Sequence, residues 1–202
     1  ALPEIGSTMH RQPSMGETLR GYREILLNEK IRWLLGVRFF PTCMWGGASV
    51  AFPYLFFIAT GKNQAPAFFA TSSLVGAAVA QLVTGRICDR FGIRRTIRVV
   101  AVLIPITTLM TGALAHSIAG LWICGILYTC AAWALSTTMP PLMNTITSKE
   151  ESGRIVGVTH IAWAAGMALG QAGAGWLVGI DPSTCYYVGT VFCIGGIYCA
   201  WR

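Results

Sequence analysis

The sequence predicts an all-α, polytopic membrane protein with six transmembrane helices. Three observations carry that prediction. Hydrophobic residues make up 54% of the chain and charged residues only 11%, whereas an ordinary soluble domain carries roughly 25% charge; the mean hydropathy is accordingly +0.58. Six apolar runs lie at about 34–60, 65–84, 99–115, 121–146, 155–180 and 184–201. About 20 such residues rise roughly 30 Å as a helix, the thickness of a bilayer's hydrocarbon core. Finally, fourteen of the fifteen Lys and Arg residues fall on one side of this alternation, and only Lys62 falls on the other. Basic loops stay cytoplasmic, so both termini are expected in the cytoplasm. The same bias explains the net charge of +7 with no nucleic-acid partner.

In chain order, the first thirty residues are polar and hold no signal-peptide core. Residues 6–16, with Pro13 and several Ser and Thr, read as flexible linker. Between Glu17 and Trp33, Leu19, Tyr22, Leu26 and Trp33 share one helical face, which suits an amphipathic helix on the membrane surface; a solvated linker is the alternative. The expected organisation is a cytoplasmic linker over 1–33 and a transmembrane domain over 34–202.

Three runs carry polar and aromatic stripes at helical spacing. On the first they are Arg38, Thr42, Trp45, Ser49 and Phe52. On the fourth they are Thr129, Trp133, Ser136 or Thr137, Pro140 and Asn144. On the fifth they are His160, Trp163, Met167 and Gln171. Arg38 and His160 are the ionisable residues well inside runs, cysteine and tyrosine apart. Charge inside a membrane is costly, which favours a functional reading, although Arg38 can also snorkel to headgroups. Trp45, Trp133 and Trp163 lie away from the interfaces where tryptophan gathers, so they line a cavity or simply pack between helices. All eight acids lie outside the spans, and no carboxylate of this chain can relay protons at the bilayer centre. The seven cysteines show no C-x-x-C spacing and read as small buried residues. With no metal constellation, nucleophile elbow or phosphate loop, neither an enzyme nor a cofactor is expected.

The link between the second and third runs is the most specific stretch. Its Gly85, Asp89, Arg90, Gly92, Arg94 and Arg95 stand in the pattern G-x-x-x-D-R-x-G-x-R-R, which resembles the loop signature of the major facilitator superfamily. The glycines permit a sharp turn. Asp89 suits a positive helix N-terminus, and the arginines suit carboxylates at neighbouring helix ends. Ahead of the fifth run, Lys149-Glu-Glu-Ser-Gly-Arg154 followed by Gly157, Gly166, Gly170 and Gly175 resembles a second mark of that family. Ser148 can cap that helix, with Glu150 and Glu151 at its positive end. Gly166-x-x-x-Gly170 permits close helix packing.

The resemblance implies one six-helix half of a facilitator. Leu2-Pro3-Glu4 is similar to the exit from the sixth helix of such proteins. The preceding linker, Pro140 and Pro141 in place of an intramembrane Arg, and Gln171 where antiporter first halves show Gly-Pro all favour the carboxyl-terminal half. In the resembled family the first and fourth helices of each half line the cavity, the second and fifth meet the other half, and the third and sixth face lipid. The implied activity is alternating-access transport of a small solute in the plasma (inner) membrane, with efflux of drugs or metabolites the form that the resemblance suggests. A second six-helix half, in the same polypeptide or a homodimer, is the implied partner besides solute and lipid. Two alternatives are a self-associating half-transporter and a non-transporting receptor or scaffold of the same fold. The implied latch pairs Arg90 or Arg94 with Glu150 or Glu151.

Overall fold

Inside a bilayer every backbone N–H and C=O must find its partner within the chain, and a helix does this locally. The computed structural model, which describes residues 15–147 and 151–202, follows that rule: its elements are α1 (Met15–Leu27), α2 (Glu29–Thr60), α3 (Ala65–Phe91), α4 (Ile93–Ala113), α5 (Ile118–Ile146), α6 (Ser152–Leu177) and α7 (Thr184–Trp201). All but α1 are long and apolar enough to cross a membrane. The buried threonines in these helices turn their hydroxyls back on carbonyls of the preceding turn, as Thr108 does to Ile104 (2.7 Å) and Thr111 to Thr107 (2.8 Å). A hydroxyl satisfied this way costs little in lipid. Prolines 41 and 53 in α2, 105 in α4, and 140 and 141 in α5 are accommodated without ending their helices.

Helix adjacency orders the bundle. α2 packs chiefly on α6 and α7, α5 on α3 and α4, and α4 on α7, with a smaller α2–α5 contact between them. The result is a row α3–α5–α2–α6 with α4 and α7 behind its centre. Only 22% of the apolar stretch of α3, and of α6, is buried, against 56% for α2 and α4. The two outer helices of the row therefore present open faces. α4 is well buried yet keeps an exposed apolar stripe through Val99, Leu103, Ile106 and Met110.

Two packing devices hold the row together. Near the joints opposite Gly92, Phe52 and Phe56 of α2 meet Phe69 of α3 at 4.7 and 4.5 Å between ring centroids, with Trp122 of α5 and Tyr186 of α7 edge-on. Aromatic pairs of this kind contribute about 0.5–1.5 kcal/mol beyond their burial. Between α2 and α6 the contact is backbone to backbone. A methyl group placed on Gly166 would lie 2.9 Å from the Phe39 carbonyl oxygen; one on Gly170 would strike the Cys43 carbonyl, and one on Gly46 the Met167 carbonyl. Lipid tails are as apolar as leucine, so association rests on such close fit.

Several element ends differ from the sequence reading. α3 continues seven residues beyond Thr84, and α4 begins six before Val99. The supposed loop at 85–98 is thus two helix ends meeting at one residue, Gly92, whose φ of 83° and ψ of 151° suit only glycine. The physical reason is length: charged residues end a hydrocarbon span but not a helix, and α3 reaches about 40 Å. Gly85 makes no turn; it sits inside α3, with open space where a side chain would point. The surface helix also differs. α1 stops at Leu27, Asn28 caps α2 by accepting from the Lys30 N–H (3.0 Å), and Trp33 belongs to α2. The inward side of α1 is Gly21, Ile25 and the half-buried Tyr22, which packs against the core, whereas Leu26 is exposed. Ser148 and Glu150 lie outside the described residues.

Candidate functional site

Arg38 lies about 13 Å along α2 from Glu29, one helical turn before Thr42 and two before Trp45. These three share a face because their spacing follows the helical period. The same logic on α5 aligns Trp133 with Ser136, and on α6 aligns His160 with Trp163. The three faces converge on one cavity of ≈ 220 Å³, further walled by Pro41, Ala132 and Leu135. The guanidinium Nη1 of Arg38 donates to Ser136 Oγ across the cavity at 3.4 Å. Thr42 spends its hydroxyl on the Arg38 carbonyl (2.6 Å). The Nδ1–H of His160 turns back on the Val156 carbonyl (2.9 Å), which leaves Nε2 as the free ring nitrogen. Trp45 and Trp133 meet edge-on at 6.2 Å. The indole N–H of Trp133 is buried and has no acceptor among the described residues.

Seven of the residues singled out in the sequence thus stand together: Arg38, Thr42, Trp45, Trp133, Ser136, His160 and Trp163. Others do not join them. Ser49 lies beside a second, more apolar cavity of ≈ 240 Å³ with Phe52, Phe69 and Thr129. Gln171 of α6 donates to Ser49 Oγ at 3.4 Å and so bridges α6 to α2. Thr137 folds its hydroxyl onto the Trp133 carbonyl (3.0 Å), and Ser136 takes the cavity position instead. Asn144 is exposed near the end of α5, away from the cavity lining. Sequence reasoning missed Pro41, Ala132 and Leu135 as wall residues; their apolar side chains carry no signal distinguishing a wall from a core.

At the bundle end that holds Gly92, Asp89, Arg90, Arg94 and Arg95 are exposed, and they form no ion pair among the described residues. Arg90 rests over the Phe91 ring at 5.3 Å. Gly85 and Asp89 sit on α3, Gly92 at the joint and Arg94 and Arg95 in the first turn of α4. Glu151 is exposed at the start of α6. Cys43, Cys124, Cys185, Cys193 and Cys199 are buried, Cys88 and Cys130 half-buried, and all seven are unpaired.

No curated protein matches this chain. The family model described as Major Facilitator Superfamily matches residues 34–202. The match runs through all six long apolar helices, the Gly92 joint and every wall of the cavity. The chain is therefore a multi-pass integral membrane protein that belongs to the Major Facilitator Superfamily, a family of membrane transporters.

Proposed function

We propose that this chain is the carboxyl-terminal six-helix half of a secondary transporter that moves a small solute by alternating access. The observation that carries the reading is the polar cavity between α2, α5 and α6, in the same row as the open faces of α3 and α6. A second six-helix half covering that row would close the cavity from one side and leave it open to the other. Rocking of the two halves then exposes a midplane site alternately. The basic residues at the start of α2, around Gly92, at Arg154 and at Arg202 support a plasma-membrane orientation with both termini cytoplasmic.

In this reading the Gly92 joint is a conformational latch. Asp89 meets a helix N-terminus of the other half, and Arg90 or Arg94 pairs with Glu150 or Glu151. An exposed pair is worth only about 0–1 kcal/mol, too little to hold a fold. States separated by a few kcal/mol nevertheless respond to it. Asp89→Asn in the two-half transporter should reduce transport several-fold, leave expression unchanged and raise cytoplasmic access to the cavity, measured by cysteine alkylation at Ser136→Cys. Normal transport with unchanged access would reduce the arginines to topology signals.

A further inference from the structure

We propose that the cavity between α2, α5 and α6 binds a small organic anion, a carboxylate on a flat aromatic or apolar body; this assignment rests on the transporter reading of the same cavity. Charge is the first ground. The Arg38 guanidinium carries five N–H donors, of which one makes a long contact to Ser136 Oγ at 3.4 Å. Among the described residues no Asp or Glu lines the cavity, and in the sequence the eight acids all lie in helix ends, joints or the N-terminal segment. A cation held this far inside a membrane protein without a counter-charge is costly, so its complement arrives with the ligand. A guanidinium takes a carboxylate through two parallel hydrogen bonds, a geometry that an ammonium lacks.

The second ground is independent of charge. The Trp133 ring lines the cavity, and its indole N–H is buried beside it with no acceptor among the described residues. Orphaned buried N–H groups are rare in native structures. A ligand that brings an acceptor, met by a small turn of the indole toward the cavity, satisfies this donor and Arg38 together. The third ground is shape. Trp45, Trp133 and Trp163 wall a volume of ≈ 220 Å³, and an apolar cavity of about 150 Å³ holds benzene. There is room for one ring with its carboxylate. The opposite assignment, an organic cation seated on the tryptophan faces, has the aromatic surface it needs but meets Arg38 as a like charge.

The discriminating experiment uses the two-half transporter in lipid nanodiscs and two probes of similar size, radiolabelled benzoate and benzyltrimethylammonium. Benzoate should bind, and Arg38→Gln should weaken that binding about ten- to hundredfold, the loss expected for a charge-assisted contact. Arg38→Lys should fall between, and Trp133→Phe, which keeps the ring and removes the donor, should cost several-fold. Circular dichroism and a monodisperse elution profile for each variant separate lost binding from lost fold. Binding of benzyltrimethylammonium without benzoate would overturn the anion assignment and leave the cavity as a transporter site. Benzoate binding indifferent to both Arg38→Gln and Trp133→Phe, or no binding of either probe, would also overturn it. The transport and access measurements on Asp89→Asn test the transporter reading separately.

Discussion

Hydrogen bonds from Ser183, one from its hydroxyl and one from its backbone N–H (3.2 Å), hold the Asp181 carboxyl below the usual carboxylate range. The pair sits in the joint between α6 and α7, where it orders the entry to α7. A carboxyl depressed in the fold contributes stability that is fully present above its unfolded pKa, 3.8, and is lost as pH falls through the lower folded value. Asp181→Ala should therefore lower the melting temperature in detergent at neutral pH, with the deficit narrowing below about pH 4. A deficit that is the same at both pH values would assign the effect to packing. Single residues were legible in the sequence where chemistry and depth coincide. Arg38 stood out because an intramembrane cation needs a reason. Ser136 and Thr137 could not be separated, because both lie near the face of Trp133. Which of them faces α2 depends on how α5 is rotated, and that is set by its contacts with α3 and α4.

At the scale of the element, the apolar runs gave the number and order of the long helices but not their ends. Lys and Arg beside a span mark where hydrocarbon stops, and the helix continues through them into the headgroup region. Asn28 was a readable stop, since a short polar side chain just ahead of Glu29 and Lys30 is a good cap. The stripe of Leu19, Tyr22, Leu26 and Trp33, which spans it, masks that stop in the sequence. The two glycines of the arginine-rich stretch now have different duties, and substitution should separate them. Gly92→Ala forces a side chain into a backbone region that costs about 1–3 kcal/mol, and should lower the melting temperature of the six-helix domain. Gly85→Ala meets no neighbour among the described residues and should leave that temperature unchanged or slightly raised. A transport defect in Gly85→Ala with intact stability would place the second half against α3.

For the whole molecule, the charge distribution along the sequence predicts the same sidedness that the fold allows. The arginine-bearing helix ends around Gly92, at Arg154 and at Arg202 fall at one end of the bundle, while Lys62 and Asp181 fall at the other. In a functional cysteine-free background, cysteines at Asn63 and Ser117 should react with an impermeant maleimide added to intact cells, and one at Ile93 should not. External labelling at Ile93 would reverse the orientation. The adjacency of the helices was not legible from periodicity, because a stripe says which way a helix is apolar and not which neighbour covers it. The resemblance implied that the second and fifth helices meet another half; α3 and α6 are the least covered of the long helices, the exposure that such a contact requires.

The glycine contact between α2 and α6 also decides how the cavity can deform. Helices sliding in shear need a cushion of side chains whose rotamers absorb the displacement. Where Gly166 and Gly170 meet the carbonyls of Phe39 and Cys43 there is no such cushion. Arg38, His160 and Trp163 therefore ride on one stiff plank. The α5 wall, which meets α6 only lightly, is the compliant one. Any breathing of the cavity is a change in the distance from that plank to Ser136 and Trp133, so a solute gripped by both sides feels the motion as the opening of a single hinged jaw.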